Sequence, residues 1–183
     1  MNFKAMNMFV SEESINKHLE HLRSYRLRLS ILEKSLPELK GKEMWQIIRS
    51  GLGREVKEEA LGLHWYIRAH ECFFNSFTEA PKRSELINKY YSSRERFVYD
   101  LYLEAMKKEY GFLFVYIDRG VPKTVFATAF DRALIKFSPI LALDLYEHTY
   151  FSDYGFSKDR FLRAALMYFD TARLDDIHLD NKG

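Results

Sequence analysis

The sequence contains a single cysteine, Cys72, among its 183 residues. One thiol cannot form an intramolecular disulfide, and it cannot build the multi-cysteine sites that hold structural zinc or iron–sulfur clusters. It lies in the apolar stretch Cys72-Phe73-Phe74, which is typical of a small buried hydrophobic residue. A metal site in this chain would therefore use nitrogen and oxygen ligands.

An excess of charge of one sign is also missing, since the formal net charge is only +2. Nucleic-acid-binding proteins usually carry a strong basic excess, so we expect no nucleic-acid partner. No stretch approaches the roughly 18 apolar residues of a membrane span, and the first segment lacks the apolar core and cleavage site of a signal peptide. We therefore expect no membrane partner and a cytoplasmic location; an organelle form whose transit peptide has been removed also fits.

Several catalytic motifs are absent, and each absence excludes a class of chemistry. The sequence has no glycine-rich phosphate loop and no motif for Ser-His-Asp or cysteine nucleophiles. The Glu-x-x-His pattern of ferritin-like di-iron proteins does not occur. Hydrophobic residues nevertheless make up 47% of the chain and aromatic residues 16%, which indicates an ordered core rather than disorder.

The first half of the sequence predicts helices. Ser11 followed by acidic residues is typical of a helix start, and leucines recur at helical spacing until Pro37 ends the run. Gly111 follows the last helical pattern and is a candidate C-terminal cap. The predicted helices cover about residues 11–36, 42–50, 54–78 and a segment that starts near Ser84 or Ser92 and ends at Gly111.

After Gly111 the pattern changes to strands. Two β-branched and aromatic runs, over 112–117 and 124–130, flank a turn at 118–120 and predict a hairpin with Pro122 near its bend. The apolar segment 140–145 predicts a third strand, and a final helix is expected over 157–174. Helices followed by a small sheet indicate an α+β protein with a helical N-terminal half.

Four side chains suggest a metal site. Asp144 ends an apolar segment, where an unpaired carboxylate is costly and needs a cation or dense hydrogen bonding. His148 follows four residues later and can face the same ion if the chain bends into a helical turn. His18 and His70 lie in predicted helices that could pack as an antiparallel pair. Three imidazoles and a carboxylate suit iron, manganese, zinc or copper, so the ligands leave the metal open.

The segment from Asp144 to Tyr154, Asp-Leu-Tyr-Glu-His-Thr-Tyr-Phe-Ser-Asp-Tyr, resembles the signature of the iron/manganese superoxide dismutases. Residues 11–18, followed by Tyr25, are similar to the first-helix segment that carries the family's first histidine ligand. The stretch Ala-His-Glu-Cys-Phe-Phe-Asn at 69–75 resembles the segment that carries the second. The resemblance covers roughly residues 11–174 in the right order.

The resemblance implies an α+β fold with an N-terminal helical hairpin domain at residues 1–80. An α/β domain with a three-stranded antiparallel sheet would follow at residues 81–183, and one iron or manganese ion per chain would lie between the two. The implied ligands are His18, His70, Asp144 and His148. The implied reaction is the disproportionation of superoxide to oxygen and hydrogen peroxide, and the implied assembly is a homodimer.

Three further residues acquire roles through the resemblance. Tyr25 matches the family's gateway tyrosine, which relays protons near the substrate channel. His21 fits the channel histidine. Glu147 matches the glutamate at the dimer interface that bridges to the metal-bound histidine of the other subunit.

The sequence departs from the family around the implied site. A family glutamine beside the metal-bound solvent is replaced by Tyr66 at the helical position, where the tyrosine hydroxyl could substitute, and by Phe130 or Asp131 at the hairpin position. Such a change alters the pKa of the bound water and the redox potential. Two alternatives to a dismutase therefore stay open. One is a protein of this fold without dismutase activity that acts as a structural or interaction subunit, and the other is a different metal-dependent redox enzyme on the same site.

Overall fold

The computed structural model describes residues 3–128 and 137–180. The first part of the chain is helical, with a 3₁₀ turn at Pro37–Leu39 between its second and third helices. Its helices are α1 (Phe3–Met6), α2 (Glu12–Ser35), α3 (Met44–Arg49) and α4 (Arg54–Phe74).

The later part mixes helices with one sheet, and a second 3₁₀ turn covers Glu147–Thr149. Its helices are α5 (Glu85–Tyr91), α6 (Arg94–Met106), α7 (Phe151–Tyr154), α8 (Lys158–Met167) and α9 (Arg173–Asp180). Its strands are β1 (Phe112–Asp118), β2 (Val121–Ala127) and β3 (Leu141–Asp144). They form a three-stranded antiparallel sheet in the order β2-β1-β3, so the predicted α+β class is confirmed.

The start of α2 follows the predicted capping pattern. The Oγ of Ser11 accepts a hydrogen bond from the backbone N–H of Ser14, and Glu12 and Glu13 occupy the first turn. Helix α2 ends at Ser35, two residues before Pro37. It packs along α4, and this pair forms the frame of the helical part.

Of the two starts expected for the helix before Gly111, the later one fits α6, which begins at Arg94. Residues 85–91 form the separate helix α5, because Ser92 adopts a positive φ of 69° and Ser93 caps α6. Helix α6 already ends at Met106, so Gly111 is not its cap. Gly111 instead precedes β1 with a φ of +124°, and a Cβ atom there would lie 2.8 Å from the carbonyl oxygen of Ala127. The glycine is needed for the close approach of β2.

The hairpin differs from its prediction in the bounds of its second strand. Strand β2 begins at Val121, so Pro122 lies inside the strand opposite Ile117 rather than at the bend. A proline is tolerated there because β2 is at the edge of the sheet in the described residues. The predicted continuation of this strand to Phe130, and Asp131 beyond it, lie outside the described residues. The single helix expected over 157–174 is also two helices, α8 and α9.

One large apolar core joins the helices to the sheet. Trp65 and Phe73 of α4 are buried in it together with Phe112 and Phe114 of β1. Cys72 packs against this core but keeps partial exposure, so the expectation of a buried cysteine is confirmed only in part. Within residues 3–128 and 137–180, no helix combines the length and the apolar character needed to cross a membrane.

Candidate metal centre

The structure brings together the four side chains that the sequence suggested as metal ligands. One ligand atom from each of His18, His70, Asp144 and His148 can be chosen so that all four lie within 4.8 Å of one another. The Nε2 atoms of His18 and His148 lie 3.1 Å and 3.5 Å from Oδ2 of Asp144. The cluster lies between the helical part and the sheet, as expected.

Helix packing sets the first two positions. His18 lies early in α2 and His70 lies near the end of α4, so antiparallel packing places them side by side. Their ring centroids are 4.9 Å apart, with the planes nearly perpendicular. Both side chains are almost fully buried.

The sheet and the turn that follows it set the other two positions. Asp144 is the last residue of β3 and pairs with Phe112 at the start of β1. The backbone N–H of Tyr146 donates to Oδ1 of Asp144 at 2.9 Å, which leaves Oδ2 facing the imidazoles. The 3₁₀ turn at Glu147–Thr149 then brings His148 back over the carboxylate.

A backbone hydrogen bond fixes the ring of His70. Its Nδ1–H donates to the carbonyl oxygen of Tyr66 at 2.7 Å, so the lone pair is on Nε2. This arrangement is the usual one for histidine ligands: one ring nitrogen binds the metal, and the other donates a hydrogen bond to a carbonyl or carboxylate oxygen.

Four polar atoms at the centre of the cluster are buried without a hydrogen bond from any described residue. They are Nε2 of His18, His70 and His148 and Oδ2 of Asp144. Buried polar atoms are normally paired, and four unpaired ligand atoms within 4.8 Å of one another are accounted for by a cation. The residues present therefore fit a single metal ion with nitrogen and oxygen ligands.

The charge state also suits a cation. Burial lowers the pKa of His18, and it lowers that of His70 to about 4, so both rings are neutral near pH 7. Burial favours the neutral form of Asp144, yet His148 and His18 outweigh it and hold the pKa of the carboxyl well below its usual range. For His148 burial acts against protonation, but the charge of Asp144 dominates and raises the pKa. In the metal-free protein, His148 is thus the imidazole with the strongest tendency to hold a proton.

The cluster opens to the surface at one ligand. The side chain of His148 is 31% exposed, whereas those of His18 and Asp144 are 2% and 0% exposed. Two grooves of about 370 and 690 Å³ meet at His148. The first is lined by Lys17, Glu20, His21, Ser24, Phe151 and Ser152, and the second by Glu109, Tyr110, Tyr146 and Glu147. A small molecule can therefore approach the cluster beside His148.

The structure places the other predicted residues around the same cluster. The ring centroid of His21 lies 4.9 Å from that of His148. Tyr25 and Tyr66 stack with centroids 4.5 Å apart, and the ring of Tyr25 lies 5.6 Å from His70. Glu147 is exposed in the second groove.

Sequence reasoning missed two residues that support the site. Trp65 was not among the predicted site residues, but it packs edge-on against Phe112, which in turn contacts His70. Ser76 is buried and makes hydrogen bonds to both α4 and β3. A serine just past a helix carries no signal in the sequence that would have identified this role.

The chain was compared with known protein families. The family model described as iron/manganese superoxide dismutases, C-terminal domain, matches residues 79–174, just over half of the chain. This range includes Asp144 and His148. No curated protein matches the chain.

Proposed function

This chain belongs to the iron/manganese superoxide dismutase family, and from that membership we propose that it is an active superoxide dismutase. It binds one iron or manganese ion per chain through His18, His70, Asp144 and His148. The observation that carries the proposal is the set of four buried, unpaired ligand atoms within 4.8 Å of one another.

The chemistry of the donors supports a redox ion. Iron and manganese are both among the metals that three imidazole nitrogens and one carboxylate oxygen bind. When bound, the ion would supply one-electron chemistry: superoxide is oxidised to oxygen in one half-reaction and reduced with two protons to hydrogen peroxide in the other. Asp144, fully buried, contributes the one anionic ligand of the set.

Access and proton delivery follow from the surroundings of His148. Superoxide is small, and the groove lined by Lys17 and His21 leads to the exposed edge of this ligand. Burial is the main cause that raises the pKa of Tyr25, and the neighbouring Tyr66 adds to it, so the phenol keeps its proton at neutral pH. We assign Tyr25 as a proton donor and His21 as a residue of the approach. Tyr66, which stacks on Tyr25, takes the position of the family's glutamine.

Exposed apolar residues beside the site support a homodimer. Phe151 is 47% and Phe156 is 83% exposed, and their rings contact each other edge-to-face. Phe151 borders the same groove as His148, and Glu147 is exposed on the other side of that histidine. A second copy that covers this face would bury both phenylalanines and place Glu147 in the interface. Sedimentation of wild type and Phe156→Ser tests this: dimers are expected for wild type and monomers for the variant, with Met167→Ser as the exposed control.

The division into two domains also belongs to this proposal. A boundary near residue 80 falls in the connection between α4 and α5, after the last helical ligand His70. It assigns two ligands to each domain, which makes metal binding dependent on how the domains dock.

Metal analysis and a superoxide-consumption assay test the function. Purified wild type is expected to hold about one iron or manganese ion per chain and to consume superoxide, and His148→Ala is expected to lose activity. His64→Ala, a histidine outside the cluster, is the control. Native protein that takes up no metal would overturn the proposal. Metal-loaded wild type that is no faster than His148→Ala would instead point to a non-dismutase role of the same fold.

A further inference from the structure

Ser76 lies two residues beyond the end of α4 and is fully buried. Its hydroxyl donates to the carbonyl oxygen of Cys72 at 2.7 Å and accepts from the backbone N–H of Ala142, also at 2.7 Å. Its own carbonyl oxygen accepts from the backbone N–H of Asp170 at 2.9 Å. One serine thus holds together α4, β3 and the turn before α9.

The hydrogen bond from Ala142 of β3 to the hydroxyl of Ser76 takes the place of one that a neighbouring strand would accept. In the described part of the sheet β3 pairs only with β1, so its other edge has no neighbouring strand. The N–H of Ala142 is on that edge and is buried, where an unpaired donor is costly. The hydroxyl of Ser76 supplies the missing acceptor, and its single proton is committed to Cys72.

These contacts link two ligands of the site. Cys72 lies two residues after His70 on α4, and Ala142 lies two residues before Asp144 on the same face of β3. We propose that Ser76 is a positioning residue of the metal centre, whose hydroxyl sets the distance between His70 and Asp144. This role rests on the proposed metal site. It would keep the ligands from the helical part aligned with those from β3 and the turn after it.

Apolar packing alone does not explain the alignment. Packed side chains of α4 and β3 hold the two elements together but tolerate small sliding, whereas a hydrogen bond has a defined length and direction. A metal centre needs its ligands within about 0.5 Å of the required geometry. The hydroxyl of Ser76 supplies that constraint across the boundary between the helical part and the sheet.

Cobalt(II) is the probe, because its visible absorption bands report coordination geometry independently of activity. Wild type and Ser76→Ala are titrated with Co²⁺, and the dissociation constant and spectrum are compared. Ser84→Ala is the matched control, since Ser84 is equally buried and its hydroxyl also makes two hydrogen bonds, to Asp175 and from Ile87, at the start of α5. Both variants are expected to lose stability.

Ser76→Ala is expected to weaken Co²⁺ binding about tenfold or more, which is the loss typical of substitutions at residues that orient metal ligands. It is also expected to shift the visible absorption bands. Ser84→Ala should keep the wild-type affinity and spectrum. Ser76→Thr retains the hydroxyl and should restore both properties. If Ser76→Ala does not fold, Ser76→Cys fills the same space with a weak acceptor and should show the same direction of change.

Two results are decisive against the inference, and they are distinguishable. Wild-type protein that binds no Co²⁺ would overturn the metal site and, with it, the role of Ser76. Wild type that binds Co²⁺ while Ser76→Ala, or Ser76→Cys in its place, matches its affinity and spectrum would overturn the positioning role alone.

Discussion

Nε2 of His18 lies 3.1 Å from Oδ2 of Asp144, yet the two atoms are not aligned for a hydrogen bond. The residues come from the helical part and from the sheet, and both side chains are buried. A contact this close without a hydrogen bond is explained by a cation that both atoms face.

Asp144→Asn should abolish stable metal binding. The substitution removes the one anionic ligand of the cluster while it keeps the shape of the side chain and the acceptor for the N–H of Tyr146. Metal content, measured by mass spectrometry on purified protein, should fall from about one ion per chain to near zero. Asp118→Asn, which affects an exposed carboxylate paired with Lys123, should bind like wild type. Full metal content in Asp144→Asn would refute the ligand assignment.

Tyr25→Phe should lower the turnover of superoxide without loss of metal. Phenylalanine preserves the stacking on Tyr66 but removes the phenolic proton donor beside His70. A positioned proton donor contributes at least about a hundredfold, and a loss of that order is expected under saturating superoxide. Tyr99→Phe removes an exposed hydroxyl on α6 and should leave turnover unchanged. Equal turnover in both variants would assign Tyr25 a packing role only.

Two glycine-to-alanine substitutions should have opposite effects on the free energy of unfolding. Gly111→Ala forces a side chain into a φ of +124° and against the carbonyl oxygen of Ala127, so we expect a loss of more than about 2 kcal/mol. Gly62→Ala lies within α4, where a Cβ meets nothing within 4 Å, and should gain about 0.5–1 kcal/mol. Urea unfolding of metal-free protein measures both. If Gly111→Ala leaves the free energy of unfolding unchanged, the end of β2 can move away from residue 111 at no cost.

Asp170→Asn should stabilise the protein at pH 7. Burial raises the pKa of Asp170 above its ordinary value of 3.8, and Asp176 adds to the increase while Arg173 and Arg94 oppose it. The folded chain therefore holds this proton more tightly than the unfolded chain, and stability falls as the pH rises from 3.8 through the folded pKa.

The gain from Asp170→Asn should accordingly be present at pH 7 and shrink as the pH approaches 4, where the wild-type carboxyl is increasingly neutral. Urea unfolding at pH 7 and pH 4 measures the difference. Asp100→Asn, at an exposed carboxylate paired with Arg96, is the comparison. A gain that is equal at both pH values would show that the carboxylate charge is not its cause.

Local signals in the sequence account for the parts of the fold that were predicted well. The capping pattern at Ser11 identified the start of α2, and the run of β-branched and aromatic residues from Phe112 identified β1. The sequence left the helix start open between Ser84 and Ser92, because a positive φ in a serine has no compositional signature that would separate two helices there. It also could not assign Gly111, whose role depends on the approach of Ala127 from another strand.

The sequence by itself determined the class of fold and the chemistry of the donors: one cysteine excludes thiolate clusters, and an aspartate at the end of an apolar segment needs a cation or dense hydrogen bonding. It also suggested the four candidate ligands, through spacing and resemblance. Only the tertiary structure decided that their ligand atoms lie within 4.8 Å of one another, that His148 is the exposed one, and that Ser76 joins α4 to β3. The physical reason is distance along the chain. Caps, turns and alternation act between neighbouring residues, whereas a metal centre depends on distances between elements far apart in sequence, which only tertiary contacts fix.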